Sequence, residues 1–203
     1  MSADTRIPVE DISAVILAGG RARRMDGEDK GLIELNGRPL LDYIITALRP
    51  QVGEILVNAN RNLERYRAFG YPVIEDIMGD FFGPLVGMAT GMQATGKPYL
   101  LTVPCDSPLV PAQLAGSLYR ALINETAELS VAHDGVRMQP VFALLDCHLL
   151  PGLLDYLNGG GRKIDTWYAQ HRLALADFSA APETFLNLNT PEDKAGLESR
   201  IME

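Results

Sequence analysis

The stretch I-S-A-V-I-L-A-G-G-R-A-R-R-M-D-G-E-D-K-G, residues 12–31, decides how the chain is read. It opens with Ala14-Val15-Ile16-Leu17-Ala18, a short apolar run containing β-branched residues, the pattern of a buried strand. Gly19-Gly20 ends that run. Arg21, Arg23, Arg24 and Lys30 follow among small and polar residues with no helical apolar period. A strand that empties into a glycine-bearing cationic loop suits a polyphosphate. Glycine lets backbone N–H groups approach and face an anion, while Arg24 adds a planar fork and Lys30 a point charge. The same composition also describes a solvated basic surface loop. Location separates the two readings, because in open α/β sheets ligands bind beyond the carboxyl ends of the strands. Two common phosphate loops are absent: Lys30 is followed by Gly31, so there is no G-x-x-x-x-G-K-[ST], and no G-x-G-x-x-G follows the strand.

Outward from this stretch, the 203 residues are enough for one sizeable core and short for two, so a single domain over 1–203 is expected. A net charge of −8 and a pI near 4.9 argue against a nucleic-acid partner, which needs a basic face, and make the cations at 21–30 a local cluster that marks a site. No apolar run approaches a membrane span, and Met1 to Asp11 is polar and acidic, unlike a signal peptide; a cytoplasmic, membrane-free protein is expected. Cys105 and Cys147 make neither a disulfide framework nor a C-x-x-C pair, and Cys147-His148 reads as a helix start.

Along the chain, strands and helices alternate. Leu32 to Leu35 reads as a short edge strand closed by the turn Asn36-Gly37, and Pro39 opens a helix whose Leu40, Leu41, Ile44, Ile45 and Leu48 form a core-facing stripe. Glu54 to Asn60 is a strand with a polar end, Leu63 to Phe69 a helix stopped at Gly70, and Pro72 to Glu75 a strand ending at Asp76. Gly83 and Gly87 punctuate the entry to another helix, where close backbone approach or a tight loop would each explain them. Pro98 to Pro104 reads as a central strand buried on both faces, leading into Cys105-Asp106-Ser107-Pro108. A helix over Pro111 to Asn124 precedes a β-ribbon that pairs Ala127–Ala132 with Val141–Leu145 across His133-Asp134-Gly135. Helices over Cys147–Leu157 and Ile164–Gln170 flank Gly159-Gly160-Gly161-Arg162-Lys163, a second glycine-rich basic element that could hold an anion or serve as a linker. The tail runs through Leu173 to Ala176 and Phe185 to Asn189, and Thr190 and Pro191 then cap a last helix. The expected fold is α/β: a Rossmann-like three-layer α/β/α sandwich, mostly parallel, with a late antiparallel β-ribbon. Gly19, Gly20, Asn58, Asp76 and Asp106 should gather on one edge of its sheet. By position alone Asp106 is equally a Mg²⁺ ligand beyond a buried strand or an Asx turn leading to Pro108.

L-A-G-G-x-x-x-R-M-x-x-x-D-K, from Leu17 to Lys30, resembles the signature of nucleotidyltransferases that activate sugars and cofactors, and within them the molybdenum cofactor guanylyltransferase family. The resemblance covers roughly Ile12 to Asp193. It implies attack by a phosphate oxygen of molybdopterin cofactor on the α-phosphorus of GTP, with release of pyrophosphate. A nucleotide half of about 12–110 and an acceptor half of about 111–203 follow from it. It implies nucleotide contacts at Leu17, Ala18, Gly19, Gly20, Lys30, Asn58, Asp76, Gly83, Gly87 and Asp106. Mg²⁺, or Mn²⁺, would sit on Asp106, with Lys30 and Arg24 stabilising the departing pyrophosphate. On the acceptor side it implies His133, Arg137, Gln139, Arg162 and Lys163, with Asn187 and Asn189 from N-L-N-T-P-E-D. A monomer is expected, in transient contact with molybdoenzymes or cofactor-delivery proteins. Ala22 stands where many members have Ser, and Asp26 where Gly is usual. The cytidine-type loop of relatives resembles L-A-A-G, with Ala at the position of Gly19, which favours guanine here. Cytidylyl transfer to the same cofactor and a non-catalytic nucleotide-binding partner of molybdoenzymes are the competing readings.

Overall fold

The computed structural model describes residues 7–20, 29–79 and 83–201. Strand β1 (Ile12–Leu17) is central, and its alternate side chains enter two different cores, Ile12, Ala14 and Ile16 on one face and Val15 on the other. It is followed by a small hairpin of β2 (Glu34–Leu35) and β3 (Arg38–Pro39), then α1 (Leu40–Leu48), β4 (Glu54–Asn58), α2 (Leu63–Arg67) and β5 (Val73–Ile74). Next come α3 (Pro84–Ala94), β6 (Tyr99–Pro104), α4 (Leu114–Asn124), β7 (Leu129–His133) and β8 (Met138–Asp146). The chain ends with α5 (Leu150–Asn158), α6 (Ile164–Tyr168), β9 (Leu173–Asp177) and α7 (Pro191–Ile201).

Seven strands form one sheet in the order β5-β4-β1-β6-β8-β7-β9. β5, β4, β1 and β6 are mutually parallel, β8 is antiparallel to both neighbours, and β9 is parallel to β7. The order turns back at β1, which has β4 on one side and β6 on the other, so the crevice between the ends of β1 and β6 is the topological switch point. α1, α4 and Tyr66 of α2 cover one face, and α3, α5 and α6 cover the other, which completes the three layers.

The expected ribbon is present, and it belongs to the main sheet through the β6–β8 pairing. Its register carries an irregularity that bears on the site. Val131 pairs with Ala143 but the next residue, Ala132, pairs with Gln139, so Pro140, Val141 and Phe142 stand opposite a single step of β7. Such a bulge aims side chains out of the ladder and accommodates a proline within a strand.

Four sequence expectations are corrected. Residues 32–35 do not form an edge strand of the main sheet; Glu34–Leu35 pairs only with Arg38–Pro39, across an Asn36-Gly37 turn with both φ positive. Pro39 ends β3 with ψ of 143°, so α1 starts one residue later than expected. The helix expected over 164–170 stops at Tyr168. β9 was not expected as a strand at all.

Trp167 is 1% exposed in the face formed by α3, α5 and α6, its ring 4.7 Å from that of His171. Trp167→Ala is expected to cost about 3–5 kcal/mol of unfolding free energy. Urea unfolding would show this as a lowered midpoint at unchanged slope; a loss under 1 kcal/mol would mean that this face is loosely packed.

Candidate active site

The polar residues expected on one sheet edge do meet there. Leu17, the last residue of β1, is in register with Asn58 of β4 and Pro104 of β6. Beyond the ladder, the Ala18 N–H donates to the Asn58 carbonyl (2.8 Å) and the Cys105 N–H to the Leu17 carbonyl (3.2 Å). The first residues of the loop and the approach to Asp106 are thus held side by side by the parallel strands themselves.

Lys30 and Asp106, 76 residues apart, form the centre. Lys30 Nζ donates to Asp106 Oδ2 at 2.7 Å and to Asn189 Oδ1 at 2.5 Å, with the Lys30 and Asp106 side chains 28% and 16% exposed. The C-terminal segment is tied to the same point, since the Leu188 N–H donates to the Asp106 carbonyl (2.7 Å) and the Ser107 hydroxyl to Asn187 Oδ1. Leu188 is fully buried with Ile33, Leu35, Leu40 and Leu197, which anchors the segment on the small hairpin. Thr190 caps α7 as expected, its hydroxyl accepting from the Asp193 N–H at 3.1 Å. In return the N–H groups of Asn189 and Thr190 donate to Asp193, and the Asn189 N–H foremost holds that carboxyl below its ordinary range.

Asp106 opens onto a cleft of about 460 Å³ whose walls include Arg137, Gln139, Pro140, Phe142 and Asn187. The bulged residues of β8 supply one wall, and the Tyr168 hydroxyl braces it by donating to the Pro140 carbonyl (2.8 Å). Asp134 arranges the hairpin: its Oδ1 accepts the N–H groups of Val136 and Arg137 (both 2.8 Å) and its Oδ2 accepts from Gln139 (2.6 Å). These backbone donors, that of Arg137 first, hold the Asp134 carboxyl below its usual value.

Of the expected acceptor residues, Arg137, Gln139 and Asn187 line this cleft and Asn189 reaches Lys30, whereas His133, Arg162 and Lys163 are not among its lining residues. His133 Nδ1 accepts from the Gly135 N–H within the hairpin turn (3.1 Å). The glycines at 159–161 terminate α5: the Gly160 N–H donates to Leu157, the Gly161 N–H to Tyr156, and Gly160 has φ +87°, which is a Schellman cap. Arg162 donates to the Leu157 and Gly161 carbonyls at 2.6 Å each. These amides are committed to the helix end.

On the nucleotide side, Gly83 and Gly87 serve different ends. Gly83 precedes α3 at φ +88°, ψ −175°, a conformation only glycine adopts freely. At Gly87 a Cβ would lie 2.6 Å from Asn58 Oδ1 and 2.7 Å from Leu17 Cδ2, so the helix backbone rests directly on the ends of β1 and β4. Gly20 is exposed, and its carbonyl accepts from Arg61 (3.4 Å). Arg24 lies outside the described residues, as do Ala22 and Asp26.

Two further residues here, Asp29 and Asn60, were given no role by the sequence. Asp29, 3% exposed, accepts from Arg61 and from Asn62 Nδ2 (2.9 Å), and Asn60 bonds Asp76 at two points. The sequence shows an acid immediately before Lys30 and the repeat N-A-N-R-N, but neither indicates the partner it meets. Cys105 is enclosed, and burial first, then the Asp106 charge, pushes its thiol up to about 12, which makes it no nucleophile near neutral pH.

Residues 14–174 match the family described as the MobA-like NTP transferase domain. Among curated relatives, the molybdenum cofactor guanylyltransferase of Shewanella sediminis is 53% identical over 94% of this chain and 97% of its own length. That of Shewanella loihica is 50% identical over the same shares. Among solved structures, molybdopterin-guanine dinucleotide biosynthesis protein A from Archaeoglobus fulgidus superposes with a TM-score of 0.76 at 17% identity, over 94% of this chain and 98% of that one. A 4-diphosphocytidyl-2C-methyl-D-erythritol synthase from Anaerococcus prevotii superposes at 0.72 with 14% identity, over 97% and 98%. The two structural likenesses speak to the fold.

Proposed function

This chain belongs to the MobA-like NTP transferase family, and from that premise we propose that it transfers GMP from GTP to the terminal phosphate of a molybdopterin-type molybdenum cofactor, releasing pyrophosphate. The observation that carries the proposal is the Lys30–Asp106 pair at the switch point, opening onto a cleft walled by Arg137, Gln139 and Asn187. In the reaction, an acceptor phosphate oxygen forms a bond to the α-phosphorus of GTP. The bond to the bridging α–β oxygen breaks, and its electron pair leaves with pyrophosphate. In-line positioning and charge neutralisation supply most of the rate in such transfers, and no protein nucleophile is required.

In this reading Lys30 neutralises the departing pyrophosphate, with Arg24 as its expected partner. Arg137 lines the cleft, and in this reading it takes the acceptor's anionic end. Asp106 is the residue that would hold a divalent cation. Its carboxylate, 16% exposed and lining the cleft, offers hard oxygen donors of the kind that hold such a cation together with waters and substrate phosphates. Mg²⁺, or Mn²⁺, bound there supplies charge neutralisation at the reacting phosphate. The guanine assignment is supported by Gly19, where a Cβ would stand 2.9 Å from Asn60 Nδ2 and 3.3 Å from Asn58 Oδ1, so the alanine of a cytidine-type loop would not fit unaltered. We further propose that 1–203 acts as one transfer unit. No described helix is long and apolar enough to cross a membrane.

The test is pyrophosphate release by the purified protein with Mg²⁺ and molybdopterin cofactor, comparing GTP with CTP. Release with GTP alone is expected. Release with CTP alone would keep the mechanism and overturn the base assignment, and tight GTP binding without turnover would favour a non-catalytic partner.

A further inference from the structure

Asn58 ends β4, and Asn60, two residues on, lies beside the same neighbour, Asp76, which leaves β5. Asn58 Nδ2 donates to Asp76 Oδ1 at 2.8 Å, and Asn60 Nδ2 donates to Asp76 Oδ2 at 2.7 Å. The Asp76 N–H donates back to Asn60 Oδ1 at 2.9 Å. Asn60 therefore grips one residue at two points of opposite polarity, which fixes the orientation of its own amide and the plane of the Asp76 carboxylate together. Each carboxylate oxygen spends one acceptor site on an asparagine and keeps another. Asn58 is 2% exposed, its Oδ1 packed towards Gly87 and Gly19, whereas Asn60 and Asp76 are both half-buried, and of these two only the Asp76 carboxylate is a pure acceptor.

We propose that Asn60 is a positioning residue for base selection: it holds the Asp76 carboxylate so that its remaining acceptor sites meet two adjacent N–H donors of the base. This rests on the guanylyl-transfer reading above. Guanine offers that pair at N1 and N2. Cytosine, with one donor beside acceptors, places lone pairs against the carboxylate. A Cβ at Gly19 would stand 2.9 Å from Asn60 Nδ2, so the start of the loop packs close to the amide that holds Asp76.

The test compares GTP with inosine triphosphate, which lacks the N2 amino group, in equilibrium binding by titration calorimetry and in turnover. The wild-type protein is expected to prefer GTP by about 30-fold, the scale of one hydrogen bond to a charged acceptor. Asn60→Asp, which keeps the shape and the acceptor for the Asp76 N–H but replaces the donor with a repelling oxygen, should cut the preference to about threefold. The loss should fall on KM and be larger for GTP, which sets two donors on the carboxylate, than for inosine triphosphate, which keeps only the N1 donor; Asn60→Ala should act in the same direction. A GTP preference that is unchanged in Asn60→Asp, even if both nucleotides weaken together, would make Asn60 merely structural and overturn the proposal, as would a wild-type protein with no preference. Absent turnover with either nucleotide would count against the transfer reaction, and the ratio of binding constants would still decide on Asn60.

Discussion

Asp106→Asn is expected to lower kcat/KM for guanylyl transfer by about 10³-fold while leaving the protein folded, as removal of a central charge at a phosphoryl-type site does. The asparagine keeps the volume and one acceptor oxygen, and the backbone carbonyl that receives the Leu188 N–H is untouched, so the C-terminal segment stays tied to the end of β6. What disappears is the negative charge that holds Lys30 at 2.7 Å and would hold a divalent cation. Lys30 keeps Asn189, so its position shifts less than its electrostatic environment. Pyrophosphate release measures the loss, and thermal unfolding within a few degrees of wild type shows that the fold is intact. Activity within tenfold of wild type would remove Asp106 from the reaction.

Gly87→Ala is expected to raise KM for GTP by at least about tenfold and to cost about 1–3 kcal/mol of stability, the range for overpacking a filled site. The added methyl would meet Asn58 Oδ1 and Leu17 Cδ2, both fixed at strand ends, and Asn58 would give way before β1 does, releasing Asp76 Oδ1. Gly152→Ala is the control: on the exposed side of α5, with open space around it, it should gain about 0.5–1 kcal/mol through helix propensity alone. Denaturant unfolding separates the two glycines. Equal effects would mean that α3 stands off the sheet further than described.

The parts of the fold that were legible in the sequence are those in which local pattern and tertiary role coincide. The apolar run Ala14 to Ala18 and the continuous run Pro98 to Pro104 announced central strands, and Lys30 and Asp106 were found because each follows such a strand. β9 escaped because Leu173-Ala174-Leu175-Ala176 alternates weakly: Leu175 is 45% exposed while the alanines are buried, the reverse of what hydrophobicity suggests. Its identity is settled by pairing with β7, 44 residues away. Gly159 to Lys163 stays open between an anion site and a linker in the sequence, because glycine and basic residues mark anion sites, linkers and helix ends alike, and only the hydrogen-bond partners distinguish them. Asn60 and Asp29 were invisible as organisers, since nothing local says that Asn60 will meet Asp76 or that Asp29 will meet Arg61.

The bulge in β8 separates two jobs that share one sheet. Strands β1, β4 and β6 are locked in register, so a residue inserted into any of them would shift every contact on the GTP side. Pro140 to Phe142 already stand outside pairing with β7, and the hairpin turn before them projects from the sheet edge with Val136 89% exposed. Residues 134–140 can therefore be lengthened or rewritten without disturbing the nucleotide strands, whereas Val141, whose carbonyl accepts from Thr102 of β6 (2.6 Å), and the buried Phe142 stay with the core. On this architecture a change of acceptor is a local edit, whereas a change of nucleotide requires rebuilding the interior.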